Sequence, residues 1–109
     1  ALIAYARNKR WEVEVGGTRV SGIPVSTDDR SKLMIIGARV AAAADPNWST
    51  VWQGADGQTY QVSAAAMLAI SDAVQAHTNA TFTALASLLS GIEAGTITTR
   101  EQIDAALAE

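Results

Sequence analysis

The residue types that could support catalysis are sparse in this chain. His77 is the single histidine, and no cysteine is present. A histidine acts as a general base only with a partner group in hydrogen-bond reach, and a metal site needs further ligands. No serine lies beside His77 in the sequence, so we interpret it as a structural histidine. We therefore expect a protein that is not an enzyme, with no catalytic residues, no cofactor and no bound metal.

Two adjacent carboxylates raise the question of a cation site. Asp28 and Asp29 directly follow Ser26 and Thr27, and a helical apolar pattern comes next. Ser, Thr and Asp are preferred helix caps, and acidic side chains in the first turn interact favourably with the helix dipole. We interpret the pair as capping and dipole charges at the start of a helix.

Two glycine-containing segments have the composition of tight turns. Gly16-Gly17 lacks the Gly-Lys-Ser/Thr that completes a phosphate-binding loop. Asp56-Gly57 lacks the alternating oxygen ligands and the distal Glu of a calcium loop. Because glycine adopts positive φ without strain, both segments are predicted to be hairpin turns.

Three aromatic side chains form the candidate interaction surface. Trp48 and Trp52 flank a predicted turn, and Tyr60 lies on the strand that follows. An exposed indole in such a place can stack on a sugar or anchor a partner protein. The favoured interpretation is that both indoles close the ends of a small core. Trp11, on the first predicted strand, is expected to lie in the core.

Composition and charge exclude several classes of protein. With 109 residues, 49% hydrophobic and 17% charged, the chain fits one globular domain. Its net charge of -3 argues against nucleic acid as a partner, because phosphate contacts need clustered Lys and Arg. No apolar run approaches the ~20 residues that span a bilayer, and no signal peptide is recognisable. Neither a membrane nor secretion by a signal peptide is therefore expected.

The first part of the chain is predicted to be a helix followed by a hairpin. Residues 1–10 favour a helical lead-in, and residues 11–15 alternate apolar and polar side chains as a half-buried strand does. Gly16-Gly17 then makes the turn, and residues 18–25 form the return strand. A second helix begins at Ser26 or Thr27 and ends before Pro46. Its buried stripe is predicted to be Leu33, Ile36, Val40 and Ala44.

The second part repeats this order. Residues 50–53 and 59–62 are predicted to form a second hairpin around Ala55-Asp56-Gly57. Ser63 caps a long, alanine-rich third helix that ends at Gly95, with mediocre helix formers over residues 78–83 that allow a break. Thr99 to Gln102 has capping-box spacing and opens a last helix. The third helix has the predicted stripe Met67, Ile70, Val74, Thr78, Thr81, Leu85, Leu88 and Ile92, and the last one Ile103, Ala106 and Leu107.

These elements predict an α+β fold within a single domain over residues 1–109. Residues 11–77 contain two hairpin-then-helix segments, which suggests a duplicated ββα unit, and residues 78–109 are the C-terminal helices. The two hairpins are expected to pair into a small four-stranded antiparallel sheet with helices covering one face. The thin stripe of the long third helix is hard to cover in so small a domain. It therefore motivates a hypothesis of self-association or of packing against the rest of a longer chain.

Two sequence blocks resemble a known family. The first is Gly-Ile-Pro-Val-Ser-Thr-Asp-Asp-Arg-Ser-Lys-Leu, at residues 22–33. The second is Trp-Gln-Gly-Ala-Asp-Gly at residues 52–57, which leads through Tyr60 and Val62 to Ala-Ala-Ala-Met at residues 64–67. Together they are similar to a domain-of-unknown-function family found toward the C-terminal ends of tail-fibre and tail-assembly proteins of tailed phages and prophages.

The resemblance implies a context and no catalytic residues. It implies a structural or protein-interaction module of a phage tail protein, of which this chain would be a C-terminal fragment. The location would be the virion tail, or the host bacterial cytoplasm during assembly. The partners would be further copies of the chain, as a homotrimer, or other tail proteins. Two alternatives stay open: a tail-fibre assembly accessory, and a fibre tip that binds a host glycan through Trp48 or Trp52.

The resemblance also singles out Arg30. In the first block this arginine follows the acidic pair Asp28-Asp29. We expect a structural role for it, through a hydrogen bond to a hairpin carbonyl or to Asp28.

Overall fold

The chain folds into four helices and two hairpins over residues 1–108, the part that the structure, a computed structural model, describes. The predicted α+β class is confirmed, with each hairpin followed by a helix and with a long third helix. In chain order the elements are α1 (Leu2–Val15), β1 (Thr18–Val20), β2 (Ile23–Val25), α2 (Asp29–Ala44), β3 (Ser49–Gln53), β4 (Thr59–Ser63), α3 (Ala64–Ala94) and α4 (Arg100–Leu107).

Two compact units make up the chain, and each has its own core. The helical unit comprises Ala1–Glu14 and Thr78–Glu109, and the hairpin unit comprises Val15–His77. The core of the helical unit consists of Ala6, Leu88, Ile103 and Leu107. The core of the hairpin unit consists of Val20, Val25, Ile35, Ala42, Val62, Ala64, Met67, Ile70 and Val74.

The strand predicted over residues 11–15 is wrong, because α1 continues to Val15. Arg10 Nη1 donates to Glu14 Oε1 at 2.6 Å, an i,i+4 pair that supports a helix, and both side chains are only 11% exposed. Val13 packs against the core of the helical unit. Trp11, expected in the core, is 52% exposed.

The first hairpin lies entirely within the predicted return strand. Thr18 pairs with Val25, and the turn is Ser21-Gly22 rather than Gly16-Gly17. Both turn residues have positive φ, 51° and 81°, as the two-residue turn that matches the twist of the strands requires. Gly17 follows the end of α1, and its N–H donates to Thr27 Oγ1 at 2.9 Å.

The second hairpin is confirmed, with β3 pairing antiparallel to β4 in the register Trp52 to Tyr60. Within residues 1–108 the two hairpins form separate two-stranded sheets, so the prediction of one four-stranded sheet is wrong. The Ala55 N–H donates to the Pro24 carbonyl at 2.8 Å and links the two hairpins. Because Ala55 already lies in the turn after β3, this bond does not extend into a ladder.

Helix α2 begins at Asp29, later than the predicted start at Ser26 or Thr27, and it buries a different face from the predicted one. Asp28 is its N-cap and accepts from the Ser31 N–H, so the cap is neither Ser26 nor Thr27. The predicted buried stripe is wrong, since Leu33, Ile36, Val40 and Ala44 are all exposed. Instead, Ile35 and Ala42 are buried in the hairpin-unit core, with Ala38 packed against it.

Helix α3 runs unbroken for 31 residues, so residues 78–83 do not interrupt it. Ser63 Oγ accepts from Ala66 N–H at 3.1 Å and caps its start, as predicted. Gly95 follows its end with a φ of 81°. The predicted stripe is confirmed, with Met67, Ile70, Val74, Thr81 and Leu88 buried and Thr78, Leu85 and Ile92 half-buried.

Helix α4 opens with the predicted capping box. The Thr99 hydroxyl accepts from the Gln102 N–H at 3.2 Å, and the Gln102 side chain accepts from the Thr99 N–H at 3.0 Å. Ile103 and Leu107 are buried in the helical unit, whereas Ala106, predicted to point inward, is exposed.

Candidate interaction surface

The described residues offer few groups for chemistry. Within residues 1–108 no three acidic or histidine side chains lie close enough together to hold a metal ion. None of the described helices combines the length and the apolar character that crossing a membrane requires. His77 is buried in the hairpin unit.

An apolar face of α2 is open to solvent. Its side chains have exposed fractions of 69% at Leu33, 58% at Ile36 and 67% at Val40. With Gly37 and Ala44 they recur at helical spacing and form one stripe, which we name the α2 face: Leu33, Ile36, Gly37, Val40 and Ala44.

The opposite side of α2 is apolar as well. Ile35 and Ala42 are buried there, and Ala38 packs beside them. A helix on the surface of a domain usually has one apolar stripe and a polar opposite face, whereas a helix apolar all round is covered on all sides. Helix α2 thus carries two apolar stripes, and in the single chain the one through Leu33, Ile36 and Val40 faces water.

Removing these side chains from water would be favourable. Full burial of a Leu, Ile or Val side chain contributes about 1.5–3 kcal/mol, and the three on the α2 face still expose more than half of their surface. Scattered exposed apolar residues need no explanation, but contiguous patches mark interaction sites. The exposed side chains of the α2 face lie next to one another on the helix surface.

Gly37 lies at the middle of the α2 face without an internal reason to be glycine. A Cβ built on it meets no heavy atom within 4 Å. Glycine in a helix interior costs about 0.5–1 kcal/mol relative to alanine. By contrast, a Cβ on Gly54 would come within 3.2 Å of the Pro24 carbonyl oxygen, so that glycine is required by packing inside the chain. The missing side chain of Gly37 leaves room for something that approaches from outside.

Charged side chains surround the α2 face. Lys32 Nζ lies 3.8 Å from Asp29 Oδ1, and Arg39 Nη1 donates to Asp72 Oδ1 at 2.7 Å. The side chain of Arg30 is exposed and makes no ion pair or hydrogen bond with the residues that the structure describes. The contact expected between Arg30 and Asp28 is present through the backbone, since a hydrogen bond from the Arg30 backbone helps to lower the pKa of the Asp28 carboxyl.

The cap of α2 is held by a carboxylate with a shifted pKa. A hydrogen bond from the Ser31 hydroxyl to Asp28 lowers the pKa of that carboxyl below its ordinary value. Asp28 is therefore charged at neutral pH, at the positive end of the helix dipole. The predicted role of Asp28 in starting the helix agrees with this geometry.

A groove of about 570 Å³ lies beside the first turns of α2. Its wall includes Met34 and the whole of Thr50–Gln53, and the remaining lining residues are Ser26, Ser31, Gly54, Ala55 and Gly57. Gly54 N–H donates to the Gln58 carbonyl at 2.8 Å. In an antiparallel pair every second residue of a strand makes such bonds to its partner strand, so on β3 these are the even-numbered residues. Val51 and Gln53 consequently direct their backbone groups away from β4, along the free edge of β3.

The three aromatic residues of the predicted interaction surface are only partly brought together. Trp52 lies opposite Tyr60 in the β3–β4 pair. Both are half-buried and, like Trp48, pack against the hairpin-unit core. This placement corresponds to the structural interpretation of the two indoles, in which they close the core.

Tyr60 also fixes the turn of the second hairpin. Its hydroxyl donates to Asp56 Oδ2 at 2.7 Å, and Asp56 Oδ1 accepts from the Gln58 N–H at 3.0 Å. The bond between the two side chains raises the pKa of Tyr60 and lowers the pKa of Asp56. Gly57 completes the turn with a φ of 79°.

Two aromatic side chains of the helical unit, Phe82 and Tyr5, have partners within that unit. The Arg10 guanidinium lies 3.9 Å from the centroid of the Phe82 ring, and Arg10 also donates to Thr81 Oγ1 at 3.1 Å. Tyr5 donates its hydroxyl to Asp104 Oδ1 at 2.6 Å, which raises the pKa of Tyr5. The α2 face has no comparable cover among the described residues.

The sequence of α2 indicates an exposed apolar face, because it contains more apolar positions than one buried stripe needs. Residues 33–44 carry two apolar stripes on opposite sides of a helix, one through Ile35 and Ala42 and one through Leu33, Ile36 and Val40. A helix that lies on one small hairpin can bury only one of them. The stripe with the larger side chains, predicted to be buried, is the one that the structure leaves exposed.

Comparison with known proteins gives one family. A family model described as a domain of unknown function (DUF4376) matches residues 1–107. No curated protein and no solved structure matches the chain.

Proposed function

The chain belongs to the DUF4376 family, a domain of unknown function, and from that premise we propose that it is a non-catalytic protein-interaction module. The single observation that carries this proposal is the α2 face, on a helix whose opposite side is already buried. A surface of large apolar side chains at helical spacing fits another helix or an apolar groove.

The biological context we propose is the tail of a phage or prophage. Its support is the resemblance of residues 22–33 and 52–67 to a family of tail-fibre and tail-assembly proteins. The first of these blocks includes the N-cap of α2 and ends at Leu33, the first residue of the α2 face. In this context the module joins its parent protein to a further copy or to another tail protein.

The test is incorporation into tail particles. In the strain that encodes the protein, the chromosomal copy is replaced by a Leu33→Gln/Val40→Gln variant. Because both positions are exposed, each substitution changes the free energy of unfolding by about 0.5 kcal/mol or less. Quantitative mass spectrometry of purified particles is expected to show the wild-type protein in the tail and a strong reduction of the variant.

A matched control separates the α2 face from exposed apolar surface in general. Ile3 and Trp11 are exposed apolar residues of α1 in the helical unit. An Ile3→Gln/Trp11→Gln variant should enter particles as the wild type does. Equal incorporation of all three proteins would contradict a docking role for the α2 face.

The assembly-accessory alternative gives a different result in the same experiment. A protein that holds a fibre only during assembly would be recovered with tail proteins from lysed cells and would be absent from finished particles. Loss of that recovery in the α2 variant alone would still assign the docking role to the α2 face. The glycan-binding alternative has less support, because Trp48 and Trp52 are half-buried against the core.

A further inference from the structure

We propose that the α2 face is covered by the α2 face of a second copy of the chain, with the two helices antiparallel. This inference rests on the proposed function and names the partner. It follows from three properties of the α2 face: the order of large and small side chains along it, the charges at its two ends, and its area.

The side chains of the α2 face are complementary to themselves when the helix direction is reversed. About a twofold axis between Ile36 and Gly37, Leu33 of one copy lies opposite Val40 of the other. Ile36 then lies opposite Gly37 of the second copy, where a built Cβ meets nothing within 4 Å and the space is open. A large side chain thus enters the place where the facing helix has none, which is how ridges pack into grooves.

The helix dipoles decide the direction. In the antiparallel arrangement Arg30, which makes no ion pair among the described residues, lies opposite Ala43 of the other copy, two residues from Asp45 at its C-cap, while Asp45 itself lies opposite Asp28. The helix dipoles are opposed, so each positive end lies beside a negative end. A parallel pair would place Arg30 beside Arg30 and align the dipoles. Asp29 also lies near that end, but Lys32 is 3.8 Å from it in the same chain.

The area indicates a weak dimer. Leu33, Ile36 and Val40 each expose more than half of their surface, and side chains of this size bury on the order of 100 Å² each. Three side chains on each of two copies amount to about 600 Å², and with the stems of the flanking residues the interface lies among the smallest, weak ones. We therefore expect dissociation constants in the micromolar range rather than an obligate dimer.

Cysteine pairing tests the direction, and the chain suits it because it contains no cysteine. Two single variants are made, Leu33→Cys and Val40→Cys, and each is oxidised alone and as an equimolar mixture. The antiparallel pair predicts that disulfide-linked dimers form mainly in the mixture, because only unlike positions lie opposite each other. Strong linkage of each variant with itself would overturn the antiparallel arrangement. A Gln75→Cys variant, exposed on α3, gives the level of random collision.

Gly37 provides a variant that separates association from folding. Gly37→Leu fills the space that Ile36 of the second copy would occupy, while the side chain meets nothing in its own chain. Because leucine is the better helix former, the monomer should be more resistant to unfolding than the wild type. Sedimentation velocity over about 1 µM to about 1 mM should show a concentration-dependent dimer for the wild type and at least a tenfold weaker one for Gly37→Leu.

Three outcomes would overturn the inference: a wild-type chain that stays monomeric throughout, a Gly37→Leu dimer of unchanged affinity, or a stable trimer. The proposed function fails separately. A monomeric chain whose Leu33→Gln/Val40→Gln variant is lost from tail particles would remove the second copy as the partner and keep the docking role. Normal incorporation of that variant would remove the docking role itself.

Discussion

Helices α2 and α3 have the same kind of sequence signature and opposite outcomes. Both show an apolar stripe at helical spacing, and in both cases the stripe predicts the buried face. In α3 the stripe is buried, with Ile70 in the core of the hairpin unit and Leu88 in that of the helical unit. In α2 the stripe through Ile36 faces solvent. Periodicity identifies an apolar face, but it does not tell whether the chain itself covers that face.

The difference arises from what each helix has to pack against. Helix α3 contributes to the cores of both units, so its stripe meets other elements along most of its length. Helix α2 contributes Ile35 and Ala42 to the hairpin-unit core, and these are its buried side chains. Its larger side chains remain outside, which is the arrangement expected of a surface that is buried on association.

The largest difference in stability should come from replacing one isoleucine by alanine in each of the two helices. Ile70→Ala removes a fully buried side chain of α3 and should lower the free energy of unfolding by about 2–5 kcal/mol. Ile36→Ala on α2 should change it by about 0.5 kcal/mol, because more than half of this side chain is exposed and little packing within the chain is lost. Urea denaturation at low protein concentration measures both. A large loss in Ile36→Ala would show that the α2 face is covered within the chain.

A pair of glycines sharpens the comparison. Gly54→Ala places a Cβ within 3.2 Å of the Pro24 carbonyl oxygen and should destabilise the chain by about 1–3 kcal/mol. Gly37→Ala has open space and should stabilise the monomer by about 0.5–1 kcal/mol. Thermal unfolding followed by circular dichroism distinguishes these opposite signs. Destabilisation by Gly37→Ala in the monomer would contradict the open surroundings of that position.

In the helical unit, the residues of α4 that pack against the α3 stripe are held in place by the capping box at the start of α4. Thr99→Ala removes one half of the capping box and should cost about 0.5–2 kcal/mol, because Ile103 and Leu107 of α4 pack with Leu88. Thr98→Ala is the control, since only its backbone N–H joins the Gln102 side chain. Chemical denaturation of the two variants should separate them. Equal stabilities would mean that the capping box does not hold α4.

The smallest effect concerns the turn that borders the groove. The hydrogen bond from Tyr60 lowers the pKa of Asp56 in the folded chain. The stability that this bond contributes is therefore present above the pKa that Asp56 has in the unfolded chain, and it is lost as pH falls through the lower pKa of the folded chain. The same bond raises the pKa of Tyr60 in the folded chain. The stability that it contributes is therefore complete below the pKa that Tyr60 has in the unfolded chain, and it is lost as pH rises through the higher pKa of the folded chain.

Tyr60→Phe should therefore be less stable than the wild type between about pH 4 and about pH 10, with the difference shrinking on both sides. Denaturation curves across this range measure the difference, and NMR titration of Asp56 should show its pKa returning toward the ordinary value. A difference in stability that is independent of pH would assign the effect to packing of the ring alone.

Local signals in the sequence predicted much of the fold. The hairpin around Asp56-Gly57, the Ser63 cap of α3 and the capping box at Thr99 were all found from turn and cap chemistry, which acts over a few residues. The first hairpin was misplaced because a five-residue alternation from Trp11 is too short to exclude a helix. The i,i+4 pair of Arg10 with Glu14 favours that helix.

The candidate surface could be predicted only in part. The sequence pointed to Trp48, Trp52 and Tyr60 because large aromatic groups near turns are frequent anchors. The structure packs them against a core and leaves Leu33, Ile36 and Val40 exposed instead. Which of two apolar faces a helix buries depends on contacts between residues distant in the sequence, and a single sequence does not contain them.

Light scattering after size exclusion, over a concentration series, tests most directly whether a second copy covers the α2 face. We expect a mass that rises from 11.4 kDa toward twice that value for the wild type and for Ile3→Gln/Trp11→Gln. The Leu33→Gln/Val40→Gln variant should stay at the monomer mass under the same conditions. A wild-type chain that remains monomeric at every concentration, or an α2 variant that dimerises equally well, would contradict this expectation.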